Sequence, residues 1–165
     1  MRTVAALLLL LSVCTGAKAE SREPFGVPFY THSDNWAYGW QMKFLGEYKP
    51  VISAIADQVK QKPKANWIAW INQKVNLSPE LVGLSSEAVC GRLAVAKFEV
   101  LLQLGFPKED LRLVYGNSKT KGEHAVAAVR TPEGWRVLDN GHLVADYSTP
   151  LDSQIKNFNP ERSFY

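Results

Sequence analysis

The sequence predicts an α+β fold in which helices come first and an antiparallel sheet follows. Three observations predict it. Between residues 48 and 104 apolar residues recur at helical spacing, as in Val51, Ile52, Ile55 and Val59. Beyond Pro107 the pattern changes to short strand-like runs: Leu111 to Tyr115, His124 to Arg130 and Trp135 to Asp139. Between the last two stands Thr131-Pro132-Glu133-Gly134, a turn signal.

Taken in order, residues 1–19 have the layout of a secretory signal peptide. Arg2 supplies the positive start, Val4 to Val13 is almost wholly apolar, and Ala17-Lys18-Ala19 is a small-x-small cleavage site. The apolar run falls short of the roughly 20 residues a spanning helix needs. Cleavage after Ala19 leaves residues 20–165, enough for one domain with its own core and no stable membrane insertion. Residues 20–45, rich in Pro, Gly and aromatics, read as an irregular segment packed over that domain. A first helix is expected from about Tyr48 to Gln61, and a second from about Ala65 to Asn76 with Trp67, Ile68, Ile71 and Val75 on one face. Pro63 separates them, because proline cannot sit inside a helix without losing a hydrogen bond. Ser85-Ser86-Glu87 offers a cap for a third helix that ends at Leu104, where Gly105 and Pro107 stop it. Asn140-Gly141 marks a tight turn after the last strand-like run.

Charge and cysteine content narrow the function classes. The full chain carries 19 Lys+Arg against 16 Asp+Glu, but the signal peptide takes Arg2 and Lys18 with it. The mature chain is nearly neutral, which argues against a nucleic-acid partner held by phosphate neutralisation. Neither a metal-ligand cluster nor a Gly-rich phosphate loop occurs, so no cofactor is expected. Cys14 leaves with the signal peptide, so Cys90 is the single thiol of the mature chain and has no internal disulfide partner. Exported proteins usually carry cysteines in pairs. An unpaired one is either a small buried hydrophobe or a reactive thiol.

Cys90 falls at or near the start of the third helix. Exposed amides and the helix dipole favour negative charge there, so a thiolate is stabilised. The same position also suits a core cysteine packed with Leu93, Ala94 and Leu101. His124 and Asp139 bear on the choice through sheet register. A four-residue turn at 131–134 sets Asp139 opposite Val126 and His124 opposite Gly141, so His124, Val126 and Asp139 share a face with Trp135 and Val137. His124 and Asp139 are then diagonal neighbours, about 7–8 Å apart at the backbone, which side chains bridge. A carboxylate beside an imidazole fixes its tautomer, and the imidazole can activate a thiol. The three residues thus form a candidate nucleophile, base and orienting group.

From Trp67 to Asn140 the chain resembles the bacterial transglutaminase-like cysteine proteinases, relatives of the papain and transglutaminase folds. The resemblance rests on Cys90, Ala94 and Lys97, on Leu104-Gly105-Phe106-Pro107 and on Leu111-Arg112-Leu113-Val114. It continues in His124-Ala125-Val126 and Val137-Leu138-Asp139-Asn140, and upstream in Ile71-Asn72 and Val75-Asn76. It implies a papain/transglutaminase-like fold, catalysis by Cys90, His124 and Asp139, and cysteine endopeptidase activity on exported or cell-surface proteins. Family members in the Gram-negative periplasm process large surface adhesins, so the resemblance implies a periplasmic protein with a surface adhesin among its candidate partners. An acyl or amide transferase using the same three groups, and a catalytically silent binding domain of this fold, are the alternative readings.

The chain also departs from that family. Where members flank the cysteine with acidic residues, an aspartate and an aromatic, Val89, Gly91, Arg92 and Leu93 stand here. Calcium binding seen in some members is not expected, since Glu87 alone cannot build an oxygen-rich site. His142 is a turn residue that becomes the substitute base if the register slips. His32, Asp146 and Asp152 read as loop residues, and Trp67 and Trp70 as core residues rather than a substrate platform.

Overall fold

A computed structural model describes residues 29–30, 38–83, 89–119, 122–140 and 158–164. Along them run β1 (Phe29–Tyr30), α1 (Tyr38–Lys60), a 3-10 turn (Lys64–Asn66), α2 (Trp67–Asn76) and α3 (Pro79–Val82). Next come α4 (Val89–Gln103), a second 3-10 turn (Lys108–Asp110), β2 (Leu111–Ser118), β3 (Gly122–Thr131), β4 (Gly134–Leu138) and β5 (Phe158–Phe164). The signal peptide, the Ser85–Glu87 cap and Gly141 of the expected turn lie outside the described residues. No helix among the described residues is long and apolar enough to cross a membrane.

The architecture is α+β, helices packed on a largely antiparallel sheet, as the sequence predicts. Helix α1 is longer than expected. It begins at Tyr38, inside the segment read as irregular, and continues through Pro50. Its buried stripe explains why: Phe44, Ile52, Ile55, Ala56 and Val59 face the core, and Phe44 stacks on Tyr48 at 4.8 Å. The stripe spans the proline, whose own side is exposed, so tertiary burial outweighs the lost backbone bond. Helix α4 supplies the centre of the core through Leu93, Ala94, Val95, Ala96, Phe98, Val100 and Leu101. Each large side chain buried there contributes about 1.5–3 kcal/mol. Gly105 ends the helix at φ 84°, donating to the Leu102 carbonyl while Phe106 donates to Leu101. That is a Schellman closure, and it requires the left-handed conformation glycine tolerates.

The sheet order is β1-β5-β2-β3-β4. Only β1 and β5 pair in parallel; every other neighbour is antiparallel. Neither β1 nor β5 is evident in the sequence. β5 carries Pro160 and pairs with β2 across an irregularity between Tyr115 and Gly116, the kind of place where a strand accommodates proline. The β3–β4 hairpin has the register its turn dictates: Thr131 opposite Gly134, Val129 opposite Arg136 and Ala127 opposite Leu138. Strand alternation then sorts the two faces. Leu111, Leu113, Ala125, Ala127, Val129 and Leu138 join the helical core. On the other face Val114, Val126, Ala128 and Val137 cluster with Trp135.

Candidate active site

Cys90 is the second residue of α4, half-buried, at the end of the helix nearest α3. Arg92 ties that end down. Its guanidinium donates to the Leu81 carbonyl at 3.3 Å and the Val82 carbonyl at 2.9 Å, and it lies against Gly83, whose φ of 67° ends α3. The short helix α3, absent from the sequence reading, is thus bonded to the first turn of α4.

His124 is the third residue of β3, and its side chain is only 2% exposed. Asp139 follows β4 directly. Their separation is 2.7 Å, His124 Nε2 to Asp139 Oδ1. The same carboxylate oxygen accepts from the Asn140 backbone amide at 2.6 Å. The Cys90 side chain lies close enough to the imidazole to raise its pKa. With Nε2 turned to Asp139, Nδ1 is the other ring nitrogen, and it is buried. Cys90, His124 and Asp139 are thus brought together, and the hairpin register supplies the His124–Asp139 contact.

The electrostatics of the imidazole are set by opposing influences. Burial is the largest and disfavours the imidazolium. Hydrogen bonds to Asp139 and then to Cys90, with the negative charges of both, act the other way and carry the His124 pKa to about 9. A group with that value holds its proton at neutral pH. A protonated imidazole beside a thiol at a helix start is the arrangement that stabilises a thiolate.

Three further residues hold this end of the sheet together. Asn76, at the end of α2, donates through Nδ2 to the Asp139 carbonyl at 3.2 Å. Asn140 donates through Nδ2 to the Cys90 carbonyl at 3.1 Å and the Ala125 carbonyl at 3.2 Å. Lys97, fully buried, donates to Asn140 Oδ1 at 2.7 Å and to the Leu138 carbonyl at 3.2 Å. The sequence supported a family resemblance on these residues but assigned them no role. A signal was available for Lys97: it lies seven residues, two turns, beyond Cys90 in a run that is otherwise mostly apolar.

Other sequence candidates fall elsewhere. His32, His142, Asp146 and Asp152 lie outside the described residues. Trp67 and Trp70 pack against the core, with Lys62 over the Trp70 ring at 4.5 Å. A groove of about 630 Å³ between α1, α2 and α3 is lined by Val51, Trp70 and Leu77 and contains none of the three candidate residues. No group of three or more His, Cys, Asp or Glu able to hold a metal ion occurs among the described residues.

No protein-family model matches the sequence, and no curated protein matches it. Solved structures of Legionella pneumophila LapG are similar in fold. The calcium-bound form has a TM-score of 0.51 at 20% identity and covers 76% of this chain and 83% of its own. The EGTA-treated form gives 0.52 at 19% identity, covering 84% of each chain. A third LapG structure gives 0.52 at 19%, covering 84% of this chain and 86% of its own. At such identity the likeness is one of fold, papain/transglutaminase-like, with helices packed on an antiparallel sheet.

Proposed function

We propose that this chain is a cysteine endopeptidase acting on exported or cell-surface protein substrates, with Cys90 as nucleophile, His124 as acid and base, and Asp139 orienting His124. The observation that carries the reading is the buried imidazole bonded to the Asp139 carboxylate, with the Cys90 side chain close enough to raise its pKa. The LapG-like fold and the resemblance to bacterial transglutaminase-like cysteine proteinases support it. Export rests on the signal peptide read in residues 1–19, which implies a periplasmic or secreted mature protein starting at Glu20.

In this reading the thiolate–imidazolium pair is the resting state. Sulfur attacks the scissile carbonyl carbon, and the tetrahedral adduct expels the amine as His124 gives that nitrogen its proton. The acyl group is left as a thioester on Cys90. Water, deprotonated by the now neutral imidazole, attacks the thioester and releases the acid and the thiolate. Asp139 holds the ring in one orientation and stabilises its charged form throughout. Val89, Gly91 and Arg92 flank Cys90, and Arg92 already occupies the Leu81 and Val82 carbonyls with a cation, so this surrounding does not fit an oxygen-rich Ca²⁺ site.

The test compares exported and cell-surface proteins from cells carrying the wild type or Cys90→Ser. Fragments present in the wild type and missing in the variant are expected, with new N-termini that mark the cleavage site. Identical patterns, with the variant folded and exported, would remove the peptidase reading.

A further inference from the structure

Lys97 is fully buried, and an ammonium in a protein core is tolerated only when its donors are used. Two of its acceptors are Asn140 Oδ1 at 2.7 Å and the Leu138 carbonyl at 3.2 Å. An ammonium only donates, so it fixes which way the carboxamide faces: Oδ1 toward Lys97, Nδ2 away. Nδ2 then meets two acceptors on different elements, the carbonyl of Cys90 on α4 and that of Ala125, next to His124, on β3. The backbone amide of the same Asn140 donates to the Asp139 oxygen that holds His124. One residue thus reaches the nucleophile, the neighbour of the base and the orienting carboxylate, and a lysine sets its orientation.

We propose that Lys97 is a positioning residue of this site: by orienting the Asn140 carboxamide it sets the alignment of the Cys90 thiol with the His124 imidazole. The inference rests on the assignment of Cys90 and His124 as nucleophile and base. Without the ammonium, Asn140 Oδ1 and the Leu138 carbonyl lose a buried donor, and only the Cys90 and Ala125 carbonyls still hold the carboxamide. The link between the start of α4 and β3 loosens. The cation also polarises the amide and strengthens the two bonds that Nδ2 donates. The titratable and charged groups of this network among the described residues are Cys90, His124, Asp139 and Lys97.

The experiment measures iodoacetamide modification of Cys90 against pH in the full mature chain, at temperatures where thermal unfolding shows each form folded. Wild type, Lys97→Met, Asn140→Ala and the double variant are compared. The wild-type midpoint is expected well below the ~8.5 of an ordinary thiol. Each single variant is expected to raise it by about one pH unit or more. The double variant should raise it no further than the larger single effect, as for residues acting through one another. Should Lys97→Met fail to fold, Lys97→Gln, shorter and uncharged, takes its place with the same expectation. A lysine with only a structural role lowers the melting temperature and leaves the midpoint where it was, which overturns the proposal. A shift with Lys97→Met but none with Asn140→Ala overturns it as well. An ordinary midpoint in the wild type itself removes the nucleophile assignment before any variant is measured, so the two failures are distinct.

Discussion

The β3–β4 hairpin has two ends built on different physics. At the turn, Thr131 Oγ1 donates to the Gly134 carbonyl at 2.8 Å, Pro132 to Gly134 are exposed, and Arg130 reaches Asp110 at its side. At the open end, His124, Asp139 and Asn140 are engaged by α2 through Asn76 and by α4 through Cys90 and Lys97. Water can replace what the turn end loses. It cannot easily replace contacts around an imidazole that is 2% exposed. The ends share one register, so the turn's local geometry decides that His124 and Asp139 meet, while helices docked from the side decide what that meeting can do.

The largest effect is expected at the open end. Asp139→Asn is isosteric and keeps a polar contact with His124 but removes the charge. Proteolysis is expected to fall by about 10²- to 10⁴-fold. The sign of the pH effect follows from the imidazole. Its pKa is about 9 in the folded chain against 6.5 as the ordinary value. A raised folded-state pKa contributes stability that is fully present below about 6.5 and disappears as pH rises through about 9. Calorimetry of Cys90→Ser, in which no thiol titrates in the opposite sense, should therefore show the melting temperature falling as pH rises above about 6.5. Adding Asp139→Asn should make that fall shallower, and with the thiol present Asp139→Asn should move the alkaline limb of the activity profile to lower pH. A melting temperature of Cys90→Ser that does not fall above pH 6.5 would contradict the raised pKa.

An intermediate effect, confined to stability, is expected from the turn half of β3. Val129 is fully buried against the helical core, two residues from the turn. Val129→Ala removes two methyl groups and leaves a small cavity, a loss of about 2 kcal/mol in denaturant unfolding. The alkylation profile of Cys90 should stay unchanged in the folded variant. If it moves, packing near the turn sets the site as well, and the division between the two ends fails.

How much of this was legible in the sequence follows the same division. From Trp67 to Leu138 the signals are local: helical spacing in α2 and α4, the glycine closure at Gly105, a turn that fixes register by count. The His124–Asp139 contact follows from that count. The N-terminal half of α1 does not read as helix because it continues a segment rich in Pro, Gly and aromatics, and the stripe that overrides that signal exists only against the rest of the core. β1 is two residues long and has no periodicity to detect, and β5 carries a proline that its irregular pairing with β2 accommodates. Within the site, Lys97 and Asn140 could be picked out, but not joined. Which helical residue meets which strand residue depends on how α4 docks on the sheet, and no spacing in the chain encodes that directly.

The smallest effect is expected at the turn end, and it is the sharpest check on the comparison. Arg130 Nε donates to Asp110 Oδ1 at 2.7 Å, linking β3 to the 3-10 turn before β2. The arginine side chain is 57% exposed and the aspartate side chain 22%. An exposed ion pair of this kind contributes about 0–1 kcal/mol, because water solvates both charges once they part. Salt screens it further, over a Debye length of about 8 Å at physiological ionic strength. Arg130→Ala should therefore cost no more than about 1 kcal/mol, and less as salt is raised. It should leave the hairpin register in place, since the Thr131–Gly134 turn and the Val129–Arg136 pairing do not depend on the guanidinium. With the register kept, the Cys90 alkylation profile should overlay that of the wild type. A profile displaced in Arg130→Ala would mean that a solvent-facing charge at the turn end governs the buried contacts at the other, and that the hairpin acts as one unit rather than two.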